Sequence, residues 1–171
     1  DDGGQLYISW KAYGLDSRPI EIVAAKLSQD GLSLESEPFT LLVDDEGIGI
    51  EGQCHLKIGE YYYLIYAARG CCGPGSDYEV RVARADSFLG PYENCPVNPI
   101  LEGGDGDFIS CGHGTVVYGD DGRMFYMCHA YKKGAEFFMG RQPVIHELVL
   151  DDDGWLSSVN GDIALCEQKV P

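Results

Sequence analysis

The sequence predicts an all-β fold made of repeated sheets, on three observations. Helical periodicity is nearly absent, and short alternating or aromatic-rich segments recur between Gly, Asp and Pro turns. The 23 glycines among 171 residues suit a chain dense in turns. The third observation is a pattern that occurs three times. Gly4-Gln5-Leu6-Tyr7-Ile8-Ser9-Trp10, Gly59-Glu60-Tyr61-Tyr62-Tyr63-Leu64-Ile65-Tyr66 and Gly122-Arg123-Met124-Phe125-Tyr126-Met127-Cys128 are each a glycine turn followed by an aromatic-rich strand. The three turn glycines are spaced by 55 and 63 residues. A small sheet of about four strands repeating at this length is a β-propeller blade, and a sandwich leaves the repeat unexplained.

Taken in order, strands are expected over 5–13, 20–27, 61–67, 78–84, 115–118, 124–129 and 143–150. The strand after each glycine turn also has a related successor, at 20–26, 78–84 and 141–150. Blades are placed at 1–47, 48–102 and 103–155, with a closing segment over 156–171. Asp1-Asp2-Gly3-Gly4 carries no leader pattern and reads as a hairpin turn, so the chain is expected to begin inside a fold. Three blades do not close a ring, because propellers have about 4–8. An open arc leaves a sheet face and a strand edge uncovered, which invites association. The expected protein partner is the N-terminal part of the propeller or another copy of the chain.

Composition narrows the function classes. A net charge of −16 and a pI of about 4.4 exclude nucleic acid and anionic membrane surfaces as partners. Neutral ligands, sugars and cations stay open. No apolar run approaches the ~20 residues that span a bilayer. Seven cysteines lie at 54, 71, 72, 95, 111, 128 and 166 without a CxxC pair, which argues against structural zinc. Their odd number leaves at least one outside intrachain pairing. For Cys71-Cys72 two readings stay open, a vicinal disulfide or two small buried residues in a turn.

One stretch points to chemistry. In Ile48-Gly49-Ile50-Glu51-Gly52-Gln53 an acidic side chain stands between glycines at the rim of β-structure, where a ligand can approach. Ile50-Glu51-Gly52 with His55-Leu56-Lys57 and the following aromatic strand resembles the general-acid blade of glycoside hydrolase family 43. Val82-Ala83-Arg84-Ala85-Asp86-Ser87-Phe88-Leu89-Gly90-Pro91-Tyr92-Glu93 and Asn98-Pro99-Ile100-Leu101 resemble its next segment. Gly112-His113-Gly114, His129-Ala130-Tyr131, Gly140-Arg141-Gln142 and Asp152-Asp153-Gly154-Trp155 are similar to the blade that follows. Gln53 departs from the proline that many members carry after the Glu-Gly pair.

The resemblance implies a five-bladed propeller that cleaves plant pentose glycans with inversion, as an exo-α-L-arabinofuranosidase or β-xylosidase. It implies Glu51 as general acid, Arg141 as a sugar-pocket ligand, and His113 as the channel histidine that binds substrate or helps hold a metal. No cofactor is required; a structural calcium in the central channel is the implied ion. The base and modulator aspartates fall one blade and more before Glu51, outside the chain, so the chain alone is expected to be nearly inactive. The substrate class implies a secreted or periplasmic location. A non-catalytic carbohydrate-binding propeller is the alternative function, and a structural repeat protein without ligand is a third.

Inverting hydrolysis needs an acid and a base ~6.5–9.5 Å apart to admit water. The acid must hold its proton, so burial or a neighbouring carboxylate is expected to raise the pKa of Glu51. His55, His129 and His146 are expected to be structural or surface residues. Trp10, Tyr13 and Tyr131 are candidates for stacking on a sugar, with core packing the stronger reading for Trp10. Phe137 and Phe138 either shape a pocket mouth or pack in the core. The acidic turns 44–46, 120–121 and 151–153 are expected to be solvated hairpin tips, and none has the residue order of an EF-hand loop.

Overall fold

The middle third of the chain sets the architecture. Along Tyr61–Ala68 successive side chains enter two different cores, as a strand covered on both faces requires. Tyr63 and Ile65 join Val80, Tyr126, Val144 and Trp155 in one. Leu64 and Tyr66 join Ile22, Leu42 and Ile50 in the other. A strand buried on both sides belongs to a sheet lying between two others.

That arrangement is seen in the computed structural model, which describes residues 2–14, 18–103, 106–134, 140–161 and 163–164. Phe137, Phe138 and Cys166 lie outside the described residues. The first sheet contains β1 (Leu6–Ala12), β2 (Glu21–Leu27) and β3 (Phe39–Val43). The second contains β4 (Ile50–Ile58), β5 (Tyr61–Ala68), β6 (Glu79–Ala85) and β7 (Glu93–Asn94). The third contains β8 (Phe108–Tyr118), β9 (Met124–Lys132), β10 (Gln142–Leu150) and β11 (Leu156–Ser158). Within each sheet, strands consecutive in the chain pair antiparallel, and no helix occurs among the described residues. These are three successive blades of a β-propeller.

Several details depart from the sequence reading. Four strands per blade are predicted, but the first sheet has three among the described residues. Its β1 repeats the pattern of β5 and β9, so it holds the second-strand position of the unit. The stretch around Glu51, for which no strand is expected from sequence, is itself the first strand of its sheet, β4. β8 starts earlier than expected, and β11 carries the third sheet past residue 155 to Ser158.

Two turns are informative. Asp2 and Gln5 exchange backbone hydrogen bonds of 2.9 and 3.1 Å across Gly3 and Gly4, whose φ values are 58° and 96°. This is the predicted hairpin turn, and its left-handed backbone calls for glycine. Asp44, by contrast, is no solvated tip. It is buried, and its carboxylate accepts from the backbone N–H of Ile48 and Gly49, fixing the entry to β4. Asp151 works in the same way for its own turn, accepting from Asp153 and Trp155.

Candidate active site

β4 presents Glu51 opposite Ala67 of β5, and the register then slips before Cys54. Gly52, within that bulge, has φ 62°, and a Cβ there would lie 2.9 Å from Cγ of His113. Glycine is needed both for the left-handed turn and for the neighbour. β8 breaks register on both sides of Gly112. Here a Cβ would lie 2.1 Å from Cδ1 of Tyr78, and the next residue, His113, holds φ 52°. Two bulged inner strands thus fit into one another, and this brings Glu51, Tyr78 and His113 together.

Both oxygens of Glu51 are engaged. Tyr78 donates its hydroxyl to Oε1 at 2.7 Å, and Lys11 donates Nζ to Oε2 at 3.1 Å. Burial pushes the carboxyl up, but the bonds from Tyr78 and Lys11 and the charge of Lys11 outweigh it. The pKa of Glu51 is therefore lowered, against the expectation of a raised one. The neighbours that set the sign are a phenol donor and an ammonium, not a carboxylate. Burial and the bond to Glu51 in turn push the Tyr78 phenol up, so it stays a donor.

A chain of contacts leads from Tyr78 to Arg141. The Tyr78 and His129 rings stack with centroids 5.8 Å apart, and Arg141 Nη1 lies 3.0 Å from His129 Nε2. Burial, helped by the charge of Arg141, pushes His129 down to about 4, so the ring is neutral near pH 7 and Nε2 accepts from the guanidinium. His129 is thus part of the site and not the bystander expected from sequence. Arg141 forms no ion pair with a carboxylate among the described residues.

On the Lys11 side lies an open cleft of about 400 Å³, lined by Ser9, Trp10, Lys11, Tyr13, Glu51 and His113 among others. Trp10 is half-buried on this wall, and Tyr13 is 75% exposed with Lys11 over its ring. Ser9 reaches across to Gln53 and to Nε2 of His55, so His55 is structural; burial drives it down to about 4. His146 is fully buried in the third sheet. Tyr131 accepts from the backbone N–H of Gly73 through its hydroxyl.

From sequence, Lys11 and Tyr78 read only as strand residues, because they lie 40 and 27 residues from Glu51 and no motif links them to it. The one available signal was strand alternation, which puts Ser9 and Lys11 on a shared face of β1. His113 lies beside His129, ring centroids 6.3 Å apart, but no three His, Cys, Asp or Glu side chains among the described residues form a metal-binding group. Calcium takes six to eight oxygens. Such a set can draw on backbone carbonyls and water as well as side chains, and no step is routed through an ion. Cys71 and Cys72 form a disulfide, while Cys54, Cys95, Cys111 and Cys128 stand outside any disulfide and Cys111 hydrogen-bonds with Cys128.

Comparison with known proteins follows the same lines. A family model described as glycosyl hydrolases family 43 matches residues 1–156. A non-reducing-end α-L-arabinofuranosidase of Bacteroides ovatus is 34% identical over 114 residues, covering 64% of this chain and 21% of that protein. An extracellular exo-α-(1→5)-L-arabinofuranosidase of Cellvibrio japonicus is 27% identical over 170 residues, covering 91% and 48%. The chain therefore spans between about a fifth and a half of the length of these relatives. Among solved structures, a thermostable family-43 glycoside hydrolase superposes with a TM-score of 0.84 at 27% identity, covering all of this chain and 58% of that one. The α-L-arabinanase of Cellvibrio cellulosa in complex with arabinohexaose gives 0.74 at 25% identity, covering 94% and 55%.

Proposed function

The chain belongs to glycosyl hydrolases family 43, and on that premise we propose that it forms the acid-bearing part of an inverting glycosidase acting on plant pentose glycans. An exo-α-L-arabinofuranosidase or β-xylosidase is the activity proposed, working outside the cell or in the periplasm on an oligosaccharide or polysaccharide. One observation carries this reading. Glu51 stands on an inner strand at an open cleft, with one oxygen held by a buried tyrosine and the other by a lysine.

In this arrangement Glu51 is a carboxylate, and a general acid needs a proton. The donors Tyr78 and Lys11 together withhold it. A carboxylate brought beside Lys11 would draw the ammonium away and, by like charge, raise Glu51. The base and modulator aspartates that the family places before the acid would supply such a group from outside the chain. With them, Glu51 protonates the leaving oxygen while the base activates water on the opposite face of the sugar. Tyr78 fixes the rotamer of Glu51, and Arg141 and His113 contact the sugar. Without the base, water attack loses ~10²–10⁴-fold, so the 171-residue chain by itself is nearly inactive.

The test assays aryl arabinofuranosides and xylosides with the chain and with a longer protein that supplies the aspartates. The longer protein is expected to turn over one of them, and Glu51→Gln in it to abolish turnover of substrates with poor leaving groups. Unchanged rates in that variant would replace the enzyme reading with a carbohydrate-binding propeller. Turnover by residues 1–171 alone would refute the chain's dependence on outside carboxylates.

A further inference from the structure

Nothing in the proposed reaction uses the Cys71–Cys72 disulfide, and its position is distinctive. The loop that carries it joins β5 to β6 at the end of the sheet where Glu51 pairs with Ala67 and Ile50 with Ala68. It therefore leaves the strand beside the candidate acid. Arg141, just ahead of β10, meets the loop there: its Nη1 lies 3.9 Å from Cys72 Sγ and 3.0 Å from His129 Nε2. The sulfur, the guanidinium, the two stacked rings and Glu51 form one continuous rim.

Loop stability does not account for the bond. A crosslink between adjacent residues closes no chain loop, so it removes almost no entropy from the unfolded state. The loop is held by other means. Asp77 N–H donates to Gly70 O at 3.1 Å, Gly70 N–H to Asp77 Oδ1 at 2.8 Å, and Ser76 Oγ to Gly70 O at 2.9 Å. What the disulfide adds is a surface. It presents two polarisable sulfurs and their methylenes in one fixed, apolar wedge, with Cys72 exposed and Cys71 half-buried.

The chemistry beside it is complementary. A carboxylate at this position would capture the guanidinium in a bidentate pair. Sulfur is only a weak acceptor and leaves donors of Arg141 for a ligand. A pentose ring offers C–H groups on a face and hydroxyls at its edge. The geometry points to the Cys71–Cys72 disulfide as a specificity element of the site: it seats the C–H face of a pentose residue whose hydroxyls are bound by Arg141. This rests on the reading of the protein as a pentose glycosidase, and it names a contact that the reaction itself does not require.

The experiment titrates arabinotriose and xylotriose into the ¹⁵N-labelled chain and follows the amides of Cys71, Cys72 and Glu51 and the side-chain Nε–H of Arg141. One trisaccharide is expected to shift Cys71, Cys72 and Arg141 together. Cys71→Ser/Cys72→Ser is expected to weaken its Kd roughly five- to tenfold, about the worth of one small apolar contact. If that variant loses its dispersed spectrum, the wild-type shifts and the affinity of the phosphine-reduced wild type decide. Binding that moves Glu51 but leaves Cys71, Cys72 and the affinity of the disulfide-free protein unchanged overturns this inference and spares the glycosidase reading. If neither trisaccharide binds the wild-type chain, this inference falls, and the glycosidase reading is decided by turnover in the longer protein.

Discussion

β4 and β8 hold the same place in neighbouring sheets, and each delivers one side chain to the site through a break in register. The devices match, but the outcomes differ. Glu51 is partly buried and held at both oxygens, whereas His113 is exposed and lies beside the His129 ring, centroids 6.3 Å apart. The difference lies in what surrounds each bulge. β4 faces β1 and the start of β6, which supply Lys11 and Tyr78, so its carboxylate is preorganised. Among the described residues, the histidine on β8 has the backbone device without such hydrogen-bonding partners. A bulge aims a side chain; neighbouring strands decide whether it can act.

That contrast can be broken in graded steps. In a protein that supplies the base, Glu51→Gln is expected to lower kcat by ~10²–10⁴-fold, and His113→Ala by clearly less; equal losses in steady-state assays would erase the distinction. Gly112→Ala drives a methyl into the buried ring of Tyr78 and is expected to cost about 1–3 kcal/mol in denaturant unfolding. It should also disturb the Glu51 signals, although the mutation is in the other sheet. A third test uses the histidine that each sheet holds neutral. His55 and His129 are both pushed down from 6.5 to about 4. Between those values the unfolded chain binds protons that the folded chain does not, so stability is full above pH 6.5 and falls as pH drops toward 4. Unfolding near pH 5 is expected to take up about one proton for each of the two, and replacing either with Gln should remove its share of the slope. Subtlest is Lys11→Met, which should raise the pKa of Glu51 in a ¹³C carboxyl titration. No movement would mean that Tyr78 alone holds the group.

The repeat was legible because each glycine turn and aromatic strand lies in continuous sequence, and it located β1, β5 and β9 and their successors. β4 was harder to see. Its Gln53 and His55 face Ser9 instead of an apolar core, so the alternation that marks a half-buried strand is lost. β3, β7 and β11, five residues or fewer, carry too little pattern to register. In the site, Glu51 announced itself through its glycine neighbours. Its ionisation state did not, because Tyr78 and Lys11, the donors that outweigh burial, come from elsewhere in the chain and not from the local sequence.

The two glycines at the heart of the fold act on each other's sheets: Gly52 leaves space for His113, and Gly112 leaves space for Tyr78. Blades joined by such reciprocal notches are not interchangeable parts. An engineer who grafted the second blade of another propeller beside this third blade would have to bring a glycine to meet His113 and a ring that fits over Gly112. Diversification meets the same demand, since enlarging either notch position requires a matching change on the opposite blade. Repetition built this arc, but the interlock gives its neighbouring blades a fixed order.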